Sequence, residues 1–363
     1  MTGNSTAVRD KRFPAILGAC VLLFLVSEVP AQNVLLSEWH VDSGKRAVKE
    51  RNFDEAEQHY VAALKEAAGA PGSRVTDSIA SLAELYLAEG KPEASERLFR
   101  QALAVQERML GREHPAVAET LKSWATLNAD HGKDEAAERL YTQALAIQEK
   151  TLGPEHPDVA DTLNNLALLY KSQRKYDMAE RLYARAMAIQ EKALGPEHLD
   201  MADTLNNVAV LYKTQKRYAE AEDLYERALA IQEKHLGREH PDVAVSLSNL
   251  ANLYFVLGWY HEAEPLHERA LAIREKRLGP EHPDVATSLN NLAILYNHQG
   301  KHAEAESLFK RALAIREKSL GPEHPKVAAT LENYAALLWV MERPEEAEQF
   351  AARAKAIRSK PGP

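Results

Sequence analysis

The stretch Leu152-Gly153-Pro154-Glu155-His156-Pro157-Asp158-Val159-Ala160, with Leu163-Asn164-Asn165-Leu166-Ala167 close behind it, decides the fold. Its junction recurs as Gly111-Arg112-Glu113-His114-Pro115, Gly195-Pro196-Glu197-His198-Leu199, Gly237-Arg238-Glu239-His240-Pro241, Gly279-Pro280-Glu281-His282-Pro283 and Gly321-Pro322-Glu323-His324-Pro325, always 42 residues apart. A period of this length marks a repeat architecture. Leu-Gly supplies a left-handed helix cap, the first proline cannot continue a helix, and the second sits where the next helix begins. A weaker turn falls inside each repeat at Gly90, Gly132, Gly258 and Gly300, with Arg174, Lys216 and Glu342 at the equivalent places, so each repeat contains two helices.

Around this junction, Leu163, Leu166, Ala167 and Tyr170 form one apolar stripe on the first helix of the repeat, and Ala179, Leu182, Tyr183, Ala186 and Ile189 form another on the second. The small residues let the helices approach closely, and the two tyrosines fill the space between neighbouring pairs. Six heptads also make 42 residues. A continuous coiled coil is nevertheless excluded, because glycine and proline at every junction would cost it about 1 and 3 kcal/mol each.

The pattern Leu166-Ala167-x-x-Tyr170, then Ala179, Tyr183 and Ala186, resembles the tetratricopeptide repeat, and the 42-residue length with the Leu-Gly-Pro-Glu-His-Pro junction resembles its kinesin light chain subfamily. The resemblance covers about residues 73–358. It implies an all-α fold, a right-handed superhelical solenoid of antiparallel helix pairs whose first helices line a concave groove. The expected organisation is a signal peptide over 1–31, a degenerate capping pair over 32–72, repeats at 73–110, 111–152, 153–194, 195–236, 237–278, 279–320 and 321–358, and a tail over 359–363. That makes eight helix pairs. The kinesin light chain role itself does not transfer, because a signal-like segment and one degenerate pair stand where that family carries a heptad segment.

With a net charge of −8 and no basic run, a nucleic-acid partner is not expected. Arg9, Lys11 and Arg12 precede an apolar run from Phe13 to Val26, and Val29-Pro30-Ala31 offers small residues before a cut ahead of Gln32. The expectation is an extracytoplasmic protein, periplasmic or secreted, with no membrane span after cleavage; tethering by an uncleaved N-terminal segment is the alternative. Cleavage would also remove Cys20, the only cysteine, and with it any thiol chemistry.

The face opposite the apolar stripe carries the candidate site. One row holds Asn165, Asn207, Asn249, Asn291 and Asn333, beside Asn164, Asn206, Ser248, Asn290 and Glu332. An amide both donates and accepts, so it can hold the backbone of an extended peptide without reading its sequence; the resemblance implies that use. The other reading is that these amides bond to neighbouring helices or face water. A second row runs Leu168, Val210, Asn252, Ile294 and Ala336, and a third Lys171, Lys213, Phe255, Asn297 and Trp339. Lys171 and Lys213 could pair with acidic ligand residues, while Phe255 and Trp339 are candidate anchors; Trp339 packing under the C-terminal end is the alternative.

Pro265 within the second helix of the repeat at 237–278 suggests a kink, and His267 replaces a core aromatic there. Six junction histidines are spaced by whole helix pairs, too far apart to share a metal, and are read as turn and cap residues. No catalytic motif is present, so neither an enzyme nor a cofactor is expected. The leading expectation is a non-catalytic scaffold for a protein or extended peptide. The alternative is a structural component of an envelope complex that self-assembles through its end repeats, with Phe350 and Ile357 expected to be uncovered.

Overall fold

The computed structural model of the chain describes residues 36–50, 52–66 and 73–359. The expected signal peptide, 1–31, lies outside the described residues. Among those described there are sixteen helices and no strand, and the helices pair consecutively. The fold is an all-α helical-repeat array.

The chain forms two compact units, Met1–Gly153 and Pro154–Pro363. The first contains α1 (36–49), α2 (Phe53–Glu66), α3 (Ser73–Ala88), α4 (Pro92–Leu110), α5 (Pro115–Asp130) and α6 (Asp134–Thr151). The second contains α7 (Pro157–Ser172), α8 (Tyr176–Ala193), α9 (Leu199–Thr214), α10 (Tyr218–Leu236), α11 (Pro241–Leu257), α12 (Tyr260–Leu278), α13 (Pro283–His298), α14 (His302–Leu320), α15 (Pro325–Val340) and α16 (Pro344–Arg358).

The junction histidines are helix N-caps. Each has extended backbone, and its Nδ1 accepts from the backbone N–H two residues on, as His156 does from Asp158 at 3.2 Å and His240 from Asp242 at 3.2 Å. The imidazole thus satisfies one of the free N–H groups that begin a helix, and an accepting Nδ1 requires its neutral form. Each junction is also clamped from its own second helix. Arg227 and Arg269 donate to the carbonyls of Pro196 and Arg238 at 3.1 and 2.9 Å, while Lys192 and Lys234 reach Glu155 and Glu197. These surface ion pairs contribute little singly, but they recur in register.

At the mid-repeat turns Arg174, Lys216 and Glu342 adopt φ of 61, 64 and 57°, the conformation their glycine equivalents hold without strain. The helix α12 runs unbroken through Pro265, and His267 takes the core aromatic position at 2% exposure. In the other repeats that position holds Phe99, Tyr141, Tyr183, Tyr225 and Phe309, all buried. Burying each ring stabilises the array by about 1.5–3 kcal/mol.

The expected uncovered C-terminal residues need correction. Ile357 is buried against Val327, Ala328, Leu331 and Ala354, and Phe350 is half-buried with its ring stacked 4.8 Å from Tyr334. Both point back toward α15. The position facing onward, which carries the core aromatic elsewhere, is Ala351, and it is exposed.

Candidate functional site

All the candidate residues lie in the second unit, on α7, α9, α11, α13 and α15. In this unit α7 touches α9, α9 touches α11, and α13 touches α15, so first helices lie side by side. The two asparagine rows on it behave differently.

The first row turns inward. Asn164 donates to Thr204 Oγ1 on the next first helix at 2.6 Å, and Thr204 donates in turn to Gln190 Oε1 at 2.8 Å. One repeat later Asn206, 8% exposed, donates to Ser246 Oγ at 2.7 Å, and Ser246 to Gln232 Oε1 at 2.6 Å. Asn290 is buried and accepts from Asn333 Nδ2 at 3.2 Å, while Ser248 donates to its own helix at Ala244. For Asn164, Asn206, Asn290 and Asn333 the bond to a neighbouring helix is therefore what the side chain does. A buried amide needs such a partner.

The second row stays open except at Asn333, which donates to Asn290. Asn165, Asn207, Asn249 and Asn291 are half-buried, one per repeat, and none has a side-chain hydrogen bond within the described residues. Beside them Leu168 is 42% exposed, Val210, Asn252 and Ile294 are half-buried, and Ala336 is exposed. Lys171 and Lys213 are half-buried without an acidic partner among the described residues. Burial lowers the pKa of both below the usual lysine value, and the charge of Lys213 lowers that of Lys171 further.

Farther along the row Phe255 is half-buried, its ring edge-on to His298 at 4.9 Å, and Trp339 is 52% exposed beside Val340 at 56%. Trp339 therefore does not pack under the C-terminal end.

Sequence reasoning missed a polar residue buried on successive second helices, at Gln106, Gln148, Gln190, Gln232, Arg274 and Arg316. Arg274 donates to Ser288 Oγ and Arg316 to Thr330 Oγ1, both at 2.5 Å, so guanidinium replaces the Gln amide in the later repeats. The signal is one polar residue every 42 positions inside an otherwise apolar stripe. Among the described residues no group of three His, Cys, Asp or Glu side chains could hold a metal, and no helix is long and apolar enough to cross a membrane.

Repeated antiparallel pairs with a shared face of first helices define the class of helical-repeat interaction proteins. A tetratricopeptide-repeat family model matches residues 75–150, 125–192, 158–234, 242–318 and 284–360, and the chain belongs to that family.

Among solved structures, a Podospora anserina protein described as a kinesin light chain with nearly identical TPR-like repeats is 32% identical, with a TM-score of 0.50 over 56% of this chain and 96% of that one. BtubC (BKLC) from P. vanneervenii is 24% identical, with a TM-score of 0.51 over 68% of this chain and 94% of that one. A Rap protein complexed with Competence and Sporulation Factor shares the fold at 15% identity, with a TM-score of 0.54 over 89% of this chain and 97% of that one. None of the curated proteins matches the sequence.

Proposed function

We propose that the chain is a non-catalytic scaffold whose first-helix face, from α7 to α15, holds an extended segment of a partner protein. The observation that carries this reading is the row Asn165, Asn207, Asn249 and Asn291, recurring once per repeat with no side-chain partner while the adjacent amides are internally bonded. Such a row offers donors and acceptors at the spacing of the repeats, as backbone recognition requires. Lys171 and Lys213 add unpaired charge for acidic ligand residues, and Phe255 and Trp339 add apolar anchors.

The competing reading, self-assembly through end repeats, is disfavoured by Ala351. A further repeat stacked there would meet a methyl group where every internal seam has a ring. Export is part of the proposal and rests on the basic and apolar segment from Arg9 to Ala31; N-terminal sequencing of the protein from the exported fraction tests it.

The test of the scaffold is a pull-down from that fraction with the unaltered chain and with Asn165, Asn207, Asn249 and Asn291 all changed to Ala, after circular dichroism shows that both fold alike. A partner captured only by the unaltered chain supports the reading. Equal capture by both refutes the asparagine row as the site.

A further inference from the structure

Between α8 and α9, Glu180 accepts from Tyr212 Oη at 3.2 Å and from Arg217 Nη1 at 2.9 Å, and the Arg217 guanidinium lies 3.7 Å from the Tyr212 ring centre. Between α12 and α13, Lys301 pairs with Glu264 at 2.5 Å and lies 4.7 Å from the Tyr296 ring, whose hydroxyl donates to Glu268 at 2.9 Å. Between α14 and α15 the phenol comes from one turn earlier, in the register of Trp124: Glu306 accepts from Tyr334 Oη at 2.9 Å, from Arg343 Nη1 at 2.9 Å and from Lys310 Nζ at 2.7 Å, and Leu338 stands in the register of Asn128. Carboxylate, cation and phenol ring form the unit.

The seam between α4 and α5 has the carboxylate and the cation but not the phenol. Glu96 stands in the register of Glu306 and pairs with Arg100 at 2.5 Å, as Glu306 does with Lys310. Lys133 stands in the register of Arg343, yet its side chain is exposed and has no partner within the described residues. Asn128 stands where Tyr170, Tyr212, Tyr254 and Tyr296 stand in later repeats, and its amide turns back to donate to Trp124 O at 2.8 Å.

Trp124, one turn earlier, stacks on Phe99 with ring centres 5.6 Å apart and does not fill the gap. A cavity of 270 Å3 remains, lined by Glu96, Arg100, Trp124, Asn128, Lys133 and Arg139 among others. That is just below the range of drug-sized pockets, about 300–1,000 Å3, and suits a single ring.

We propose that this slot binds a phenolic ring supplied from outside the chain, either a free phenol or the tyrosine side chain of a partner. The ring would lie against Trp124 and beneath the Lys133 ammonium, and its hydroxyl would donate to Glu96. The Glu180 seam shows that a carboxylate in this register accepts together from a cation in the register of Lys133 and a phenol in the register of Asn128. A ring without a hydroxyl would leave the acceptor unused.

The experiment is a calorimetric titration of the full chain with p-cresol, toluene and N-acetyl-tyrosinamide, with the Trp124 indole N–H followed by NMR and assigned through Trp124→Phe. The expected result is saturable one-to-one binding of p-cresol that shifts the Trp124 resonance, and a preference over toluene of about tenfold from the hydrogen bond to a charged acceptor. Binding of N-acetyl-tyrosinamide as well would make a partner's tyrosine the source; binding of p-cresol alone would make it a free phenol.

Asn128→Tyr should complete the seam, abolish binding and raise the unfolding midpoint. Glu96→Gln, at an exposed position, should erase the preference for p-cresol over toluene while leaving the fold intact. Absence of saturable binding, undiminished binding to a folded Asn128→Tyr, or an unchanged preference in Glu96→Gln would each overturn the proposal. The first-helix face plays no part, so the quadruple asparagine variant should bind p-cresol as the unaltered chain does.

Discussion

Asn206 donates its side-chain amide from α9 to Ser246 Oγ on α11 across 2.7 Å, while the next residue, Asn207, is half-buried with no side-chain partner within the described residues. One amide holds two repeats together; its neighbour is open to a ligand. Asn206→Ala should lower stability by about 1–2 kcal/mol, because a buried hydrogen bond is lost. Asn207→Ala should stay within about 0.5 kcal/mol of the unaltered chain. Urea unfolding measures both, and capture of the partner should be weakened more by Asn207→Ala.

Lys171 and Lys213 sit half-buried on one row, and burial disfavours the charge of each. Lys171→Gln with Lys213→Gln should therefore leave the unliganded protein as stable or slightly more so, by up to about 1 kcal/mol, while weakening capture of an acidic partner. Thermal unfolding and binding measured on the same variant should move in opposite directions. Binding by the unaltered chain should also weaken as salt rises.

His267 is buried in a core aromatic position, and burial, with Arg274 acting in the same direction, lowers its pKa from 6.5 to about 4. The unfolded chain therefore takes up the proton first. Stability tied to the neutral ring is intact above pH 6.5, falls as the pH drops toward 4 and levels off below, a loss of about 3 kcal/mol in all. His267→Tyr, the residue of the two preceding repeats, should remove that part of the acid sensitivity. Urea midpoints compared between pH 7 and pH 4 check it.

The N-cap of α11 is the His240 ring, whose Nδ1 accepts from Asp242 N. His240→Ala should cost about 1 kcal/mol, and His240→Asn should recover most of it, because a side-chain amide oxygen can accept the same bond. Chemical unfolding of the two variants separates capping from packing at this site.

Lys216 holds a left-handed φ of 64° at a turn where other repeats carry glycine. Lys216→Gly should remove strain of about 1 kcal/mol, partly offset by the greater freedom of the unfolded chain. A raised unfolding midpoint is the expected outcome.

Much of this architecture is legible in the amino-acid order. Leu163, Leu166, Ala167 and Tyr170 are buried as the helical spacing requires, and the junction histidines cap helices as their place before the first helical residue implies. Local patterns mislead where two helices compete for one side chain. Ile357 reads as uncovered in the sequence, yet it faces back onto Leu331; the onward position belongs to Ala351. Pro265 lies inside α12, which remains one helix. The buried glutamines escape a sequence reading because they occupy an apolar stripe, and only the hydroxyls of Thr204 and Ser246 opposite them explain their burial.

The sequence by itself determined the repeat, the two helices in each repeat and the stripes that pack them. Those depend on glycine, proline and a helical period, which act within a few residues of one another. Only the tertiary structure decided which of two adjacent asparagines turns inward, because Asn164 and Asn165 are chemically identical and the choice is made by Thr204, forty residues away on the next first helix. It also decided that the loss of one tyrosine at Asn128 leaves a slot. A missing ring becomes a cavity only when the side chains around it do not close in, and that depends on packing that no local pattern records.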